Sequence, residues 1–235
     1  MIDLFAITLH DLLNPEFYIK LGGLWGLLFI VFAETGLMFG FFLPGDSLLF
    51  VAGIYSDNLV DSFIKGGVGG DFANLMLLFV LVSVCGILGN TLGYWFGRKS
   101  GPFLYHRKDN FFFKKKYLYQ AHEFYELHGG QAVVFARFLP IIRTFAPIVA
   151  GIVDMDKKKF QYYNIVGCLS WVFAMLFAGH YLYRISLIKF HFDLKQHLEV
   201  IVIGIVIITT FPVLFKIFFG RKKRNGVEGD PAKKS

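Results

Sequence analysis

The sequence predicts an all-α polytopic membrane protein, an inverted repeat of two re-entrant helical hairpins combined with transmembrane helices. Three observations carry that expectation. Of 235 residues, 55% are hydrophobic and 17% charged, mean hydropathy is +0.55, and the apolar residues fall in long blocks. The formal net charge of +7 gathers mainly at residues 98–116 and 216–234, each abutting an apolar block. Two apolar segments are also interrupted, one by Pro44-Gly45-Asp46 and one by Pro140, and they carry Glu34, Asp46, Arg137 and Arg143. A charge at bilayer depth costs roughly 2.5–3.5 kcal/mol, so it is retained when paired, wetted by a cavity or used on an anionic substrate.

Residues 1–20 read as an amphipathic interfacial segment: Ile2, Phe5, Leu9, Leu12 and Leu13 keep helical spacing. No basic n-region precedes them, and Asp3, Asp11 and Glu16 interrupt them, unlike a cleavable signal. Asn14-Pro15-Glu16 then supplies a cap, a first-turn proline and an acidic residue for a new helix.

Residues 21–220 form the membrane domain. A spanning helix needs about 20 apolar residues, and four blocks qualify: 21–54 with its Pro-Gly-Asp break, 75–96, 162–183 and 200–219. Whether 21–43 crosses or forms one arm of a hairpin is open. The basic loop within 98–130 and the tail from Arg221 are expected on the cytoplasmic side by the positive-inside bias. Two spans precede that tail, so Lys157-Lys158-Lys159 must lie on the same side. Residues 131–153 therefore begin and end in the cytoplasm and cannot cross once, which predicts a re-entrant hairpin. Irregular backbone at that depth requires surrounding protein or a water-filled cavity. The same count puts 55–71 outside, with Asp57, Asp61 and Asp71 against Lys65. Paired interrupted segments of this kind mark the binding site in secondary transporters.

Within the loop, 110–128 reads as an amphipathic helix stopped by Gly129-Gly130, and Lys114-Lys115-Lys116 beside Phe111-Phe112-Phe113 suits anionic headgroups. Residues 221–235 form a basic, polar tail expected to be disordered.

Arg137 and Arg143 flank Pro140, and their planar donor forks suit phosphate. The alternative is that they snorkel to headgroups or clamp hairpin carbonyls. Glu34 reads either as a structural partner of an arginine or as a proton-titrating group, since burial and a nearby cation shift a carboxyl in opposite directions. Asp46 is either part of that chemistry or the cap of a helix over 47–54. Gly86, Gly89 and Gly93 read as a packing stripe, with Asn90 bonding across helices or lining a cavity. Pro44, Pro140, Asn164 and Trp171 are further cavity-lining candidates.

Several classes are set aside. The basic clusters adjoin spans, so topology explains them without nucleic acid. Cys85 and Cys168 lie in apolar blocks and the seven histidines lack ligand spacing, so neither a metal nor another cofactor is expected. Phosphatase chemistry would need a histidine beside the arginines. None lies in either interrupted segment, and no enzyme activity is expected.

The chain resembles the DedA family of bacterial inner-membrane proteins, related to the VTT or "SNARE-associated" domain. The matching residues are Glu34 with Phe41-Phe-Leu-Pro-Gly-Asp46, Gly89-Asn-Thr-Leu-Gly-Tyr-Trp-Phe-Gly-Arg98 and Phe135-Ala-Arg-Phe-Leu-Pro-Ile-Ile-Arg143. Ala146-Pro147, Ala150-Gly151, Met155, Asn164, Gly167 and Trp171 continue the match in order. The resemblance implies two re-entrant hairpins facing each other across an inverted repeat, in a bacterial inner-membrane protein. It also implies lipid translocation, with undecaprenyl phosphate as one family substrate and phospholipids as others. It assigns functional acids to Glu34 and Asp46 and functional arginines to Arg137 and Arg143. Asn90 departs from it, because many relatives carry an acid there.

These readings converge on a proton-coupled translocase in which the arginines bind phosphate and the acids neutralise those arginines when the site is empty. Its partners would be a membrane lipid and protons. The alternatives are a phospholipid scramblase or flippase, a proton-coupled carrier of small ions or drugs, and a non-transporting scaffold.

Overall fold

A computed structural model describes residues 15–37, 45–106, 123, 125–127, 129–137, 139–190 and 204. Seven helices are described: α1 (Pro15–Gly36), α2 (Gly45–Ile54), α3 (Ser56–Phe63), α4 (Asp71–His106), α5 (Gln131–Ala136), α6 (Pro140–Ile152) and α7 (Lys157–Phe190). There is no strand among the described residues. The interfacial segment before Pro15, Pro44, all of 107–122, the block 200–219 except residue 204, and the basic tail lie outside them.

Helix length divides the elements into two kinds. At about 1.5 Å per residue, α4 is about 54 Å long and α7 about 51 Å, against a hydrocarbon core of about 30 Å. Within Asp71–Phe103 and Lys157–Ile188, 18-residue windows reach mean hydropathies of 2.4 and 1.7. Both stretches contain the blocks expected at 75–96 and 162–183 and extend past them at each end. Val80, Val84, Leu88 and Trp95 keep helical spacing along α4 and are exposed, as are Leu169, Phe173 and Ile185 on α7. In water such faces would drive association; against hydrocarbon they are at no disadvantage.

The other helices are too short to cross alone. Gly23 breaks α1 with φ 52° and ψ −143°, a left-handed conformation that glycine adopts without a Cβ penalty. Its continuous part, 24–36, is about 20 Å long. α2 has 10 residues, α5 has 6 and α6 has 13. The break between α5 and α6 follows from Pro140. Proline suits the first helical position and forces the residue before it to extend; Leu139 sits at φ −112°, ψ 108°. At the other end of the loop, Gly129 takes φ 57° and donates its N–H to the Tyr125 carbonyl, ending the short turn 125–127.

The short helices meet the long ones crosswise. α1 packs on α4 and α5 on α7, whereas α2 packs on α7 and α6 on α4. Reciprocal glycines make both crossings. Gly53 lies against the Leu176 carbonyl while Gly179 lies against that of Phe50; Gly97 lies against Ile148 while Gly151 lies against Tyr94. A Cβ at any of the four would overlap backbone oxygen. Gly89 meets Thr35 and Gly36 of α1, so the stripe read from the sequence is a packing surface. Two apolar cores, beside a small cluster of Phe50, Val51 and Ile54, complete the body. One unites Leu27, Leu48, Leu78 and Leu176; the other joins Val133, Ala150 and Phe160 with Tyr94, whose ring stacks on Phe160 at 4.3 Å.

A polar knot holds the α3 end of the molecule. His180, buried on α7, contacts Ser56 at 3.3 Å and Asp71 at 3.5 Å. Arg184 reaches the same Asp71 carboxylate at 3.0 Å, and Asn74 donates to Asp57 at 2.9 Å. The sequence offered no reason to separate this histidine from the six others.

Candidate functional site

The end of α1, the first turn of α2 and the first turn of α6 converge on one buried point. Glu34 is 1% exposed, Arg143 8% and Arg137 5%. One guanidinium nitrogen of Arg143, Nη2, donates to Glu34 Oε1, and the other, Nη1, donates to Asp46 Oδ1. The fork therefore bridges two carboxylates carried by two different helices. Trp171 of α7 closes the centre. Its Nε1–H donates to the same Asp46 oxygen at 2.8 Å, and its ring lies 4.9 Å beneath the guanidinium. A desolvated cation–π contact contributes about 2 kcal/mol.

Gly45 makes the centre possible. A Cβ there would overlap the Glu34 carboxyl group, so the glycine before Asp46 is a socket for the acid. The sequence reading gave it only a turn. Glu34 Oε2 and Arg143 Nε are buried without a hydrogen-bond partner among the described residues, as is Ser47 Oγ beside Asp46. Buried polar atoms left in this way are uncommon and mark places where water, a proton or a ligand group is accommodated. Pro147, inside α6, lacks the N–H that would otherwise bond the Arg143 carbonyl four residues earlier.

Arg137 has a different environment. It caps α5 and donates from Nη2 to Asn164 Oδ1 at 2.5 Å. Asn90 Nδ2 donates to the same oxygen at 3.0 Å, which uses both of its lone pairs. Asn164 Nδ2 in turn reaches the Ile87 carbonyl at 3.2 Å, and Thr91 and Gln161 extend the network. Gly167 leaves room for the arginine stem; a Cβ there would lie 2.9 Å from Cδ. No carboxylate pairs with Arg137 among the described residues.

The sequence reading had the two acids neutralise the arginines without assigning either acid to one of them. Both go to Arg143, because α1 and α2 converge on α6 while Arg137 faces the amides of α4 and α7. Asp46 sits in the first turn of α2, where a cap would sit, yet its oxygen serves Arg143 and Trp171. Asn90 bonds across to α7. Pro140 opens α6, and Pro44 lies outside the described residues. The roles of Gly45 and Gly167 went unread; the adjacency of Gly45 to Asp46 was the available signal for the first.

A helical body with two long apolar helices, apolar outer faces and a buried ion-paired centre defines an α-helical membrane protein. The VTT domain family matches residues 28–181. Protein DedA of Escherichia coli (strain K12) is 36% identical over 205 residues, covering 86% of this chain and 85% of that protein. A membrane protein of Mycobacterium tuberculosis (strain ATCC 25618 / H37Rv) is 33% identical over 236 residues, covering 96% of each. Inner membrane protein YqjA of Escherichia coli (strain K12) is 31% identical over 182 residues, covering 76% of this chain and 75% of that protein. The chain belongs to the DedA family of VTT-domain membrane proteins. No solved structure matches it.

Proposed function

We propose that the protein is a transporter rather than an enzyme, moving a phosphate-bearing anionic lipid between leaflets of the inner membrane in a proton-coupled cycle. Undecaprenyl phosphate is the proposed substrate. The single observation that carries the reading is the unequal pairing of two buried arginines. Arg143 is held by two acids, and Arg137 by a neutral amide that an anion can displace.

In this reading α1–α2 and α5–α6 are re-entrant hairpins of an inverted repeat. Their short helices and the two reciprocal glycine crossings support that arrangement. The phosphate meets Arg137 first, replacing Asn164 as acceptor for the guanidinium. Protonation of Glu34 or Asp46 then releases one arm of the Arg143 fork for a second phosphate oxygen. The phosphate brings negative charge to a site whose two arginines and two acids cancel, and the proton taken up offsets one unit of it. Moving one charge through the membrane field contributes about 2.3 kcal/mol per 100 mV, which biases such a cycle without tight binding. The C-terminal tail is cytoplasmic in this orientation.

The test is leaflet exchange in proteoliposomes containing a chemically accessible polyprenyl phosphate or, separately, a labelled phospholipid, with and without a pH gradient. Polyprenyl phosphate exchange that is lost in Arg137→Ala and in Glu34→Gln is the expected result. Equal exchange of both lipids would reassign the protein as a general scramblase. If folded protein exchanges neither, the lipid reading falls.

A further inference from the structure

A concave, almost wholly apolar groove lies against the outer side of the α5–α6 pair. Ala132, Phe135, Ala136, Leu139 and Ile142 line it with the ring of Tyr125, and Gln131 stands at its edge. Its volume is about 200 Å³, somewhat larger than the roughly 150 Å³ apolar cavity that accepts a benzene ring. It therefore holds a short stretch of hydrocarbon rather than a whole lipid chain. Ala132 and Ala136 create the hollow, because a larger side chain at either would fill it. Tyr125 is fixed at one wall by its hydroxyl, which donates to the Ala146 carbonyl at 3.0 Å.

The register of this one stretch sorts its residues by chemistry. Arg137 and Arg143 point into the protein, where they are 5% and 8% exposed. Phe135, Leu139 and Ile142 point outward at 68%, 36% and 44%. Ala136 and Ile142 each immediately precede one of the arginines in the chain. The pair is thus a thin partition with cationic groups on its inner side and an apolar trough on its outer side.

We infer that the groove seats the first part of the hydrocarbon chain of the phosphate-bearing lipid while its phosphate is held by Arg137. This rests on the translocase reading and adds the position of the tail. Lipid chains are as apolar as leucine, so an apolar groove facing the bilayer has no preference of its own for one lipid over its neighbours. Preference arises only if the headgroup tethers the chain there. Occupancy by this lipid must therefore depend on the phosphate, which separates a tail seat from ordinary lipid contact. Anchoring the chain outside also lets the charged group pass through the polar interior while the chain stays in hydrocarbon.

Phe135 is the reporting position, since it is highly exposed, lines the groove and tolerates another large aromatic. The experiment places p-benzoylphenylalanine at 135 in the full chain, in proteoliposomes holding equal amounts of either a polyprenyl phosphate or the corresponding polyprenol. Adducts are identified by mass spectrometry after irradiation. At least fivefold more adduct with the phosphate than with the alcohol is expected, falling to the alcohol's level when Arg137→Ala is added. Equal labelling by both lipids, or an adduct to residues 107–122 of the same chain in place of lipid, would overturn the inference. Leaflet exchange measured alongside separates the two claims. Exchange that needs Arg137 without phosphate-dependent labelling sinks the groove and leaves the translocase. Phosphate-dependent labelling without exchange does the reverse.

Discussion

Arg143 and Arg137 lie six residues apart on one broken segment and are equally buried, yet the protein treats them differently. Arg143 bridges two carboxylates from α1 and α2 and rests on Trp171. Arg137 touches an amide supported by a second amide. Removing one partner of a buried charge cluster strands the others, and the penalty is typically about 3–5 kcal/mol. Removing a charge from an amide costs less, about 1–3 kcal/mol, because asparagines can hydrogen-bond each other or admit water. In the proposed cycle the contrast becomes a division of labour, with Arg143 joining α6 to α1 and α2 and Arg137 receiving the anion.

The largest expected effect breaks the comparison most directly. Arg143→Ala leaves Glu34 and Asp46 facing each other unpaired, so folded yield and melting temperature in detergent should fall sharply. Arg137→Ala should lose clearly less melting temperature than Arg143→Ala while abolishing exchange. Equal thermal losses in the two variants would refute the division. Next comes Gly45→Ala, whose methyl group would displace the Glu34 carboxylate from Arg143. At least a tenfold drop in exchange is expected, with a smaller loss of thermal stability than in Arg143→Ala; a silent substitution would show that Glu34 is not seated there.

Asn90→Asp sharpens the comparison by giving Arg137 an acid of its own. An ion pair reached through reorientation of Asn164 would compete with the incoming phosphate. Exchange should slow several-fold at neutral pH and recover as the medium is acidified, since protonating the new carboxylate restores the amide-like state. A pH profile unchanged from the parent would show that Arg137 does not meet the substrate.

The smallest effect lies in the polar knot. Burial pushes the Asp57 carboxyl up, but its hydrogen bonds with Asn74 and Asp71 and the nearby His180 and Arg184 outweigh this, leaving it below the ordinary value of 3.8. A depressed carboxyl contributes stability that is fully present above its unfolded value and is lost as pH falls through the folded one. Protection factors of the α3 amides, which remove the intrinsic pH dependence of exchange, should therefore hold near neutral pH and fall below about pH 4. Asp57→Asn should remove that acid step with little change at neutral pH.

Much of the molecule was legible in the chain. The apolar blocks at 75–96 and 162–183 became α4 and α7 because hydropathy is additive along a helix and needs no partner. Pro140 marked a helix start, because proline acts on its own backbone and on the residue before it. Glu34, Asp46, Arg137 and Arg143 stood out because charge is conspicuous in an apolar run.

Pairing was not legible. Glu34 and Asp46 meet Arg143 across 109 and 97 residues of chain, and no local rule says which arginine an acid will reach. That choice follows from α1, α2 and α6 converging, which in turn depends on glycines at 53, 97, 151 and 179 that let backbones touch. His180 was hidden for the same reason, since its partners come from α3 and α4. The sequence by itself determined which residues are too polar for the bilayer and that a helix opens at Pro140. Only the tertiary structure decided which of those charges cancel each other and which one faces an amide, because cancellation depends on distance in space.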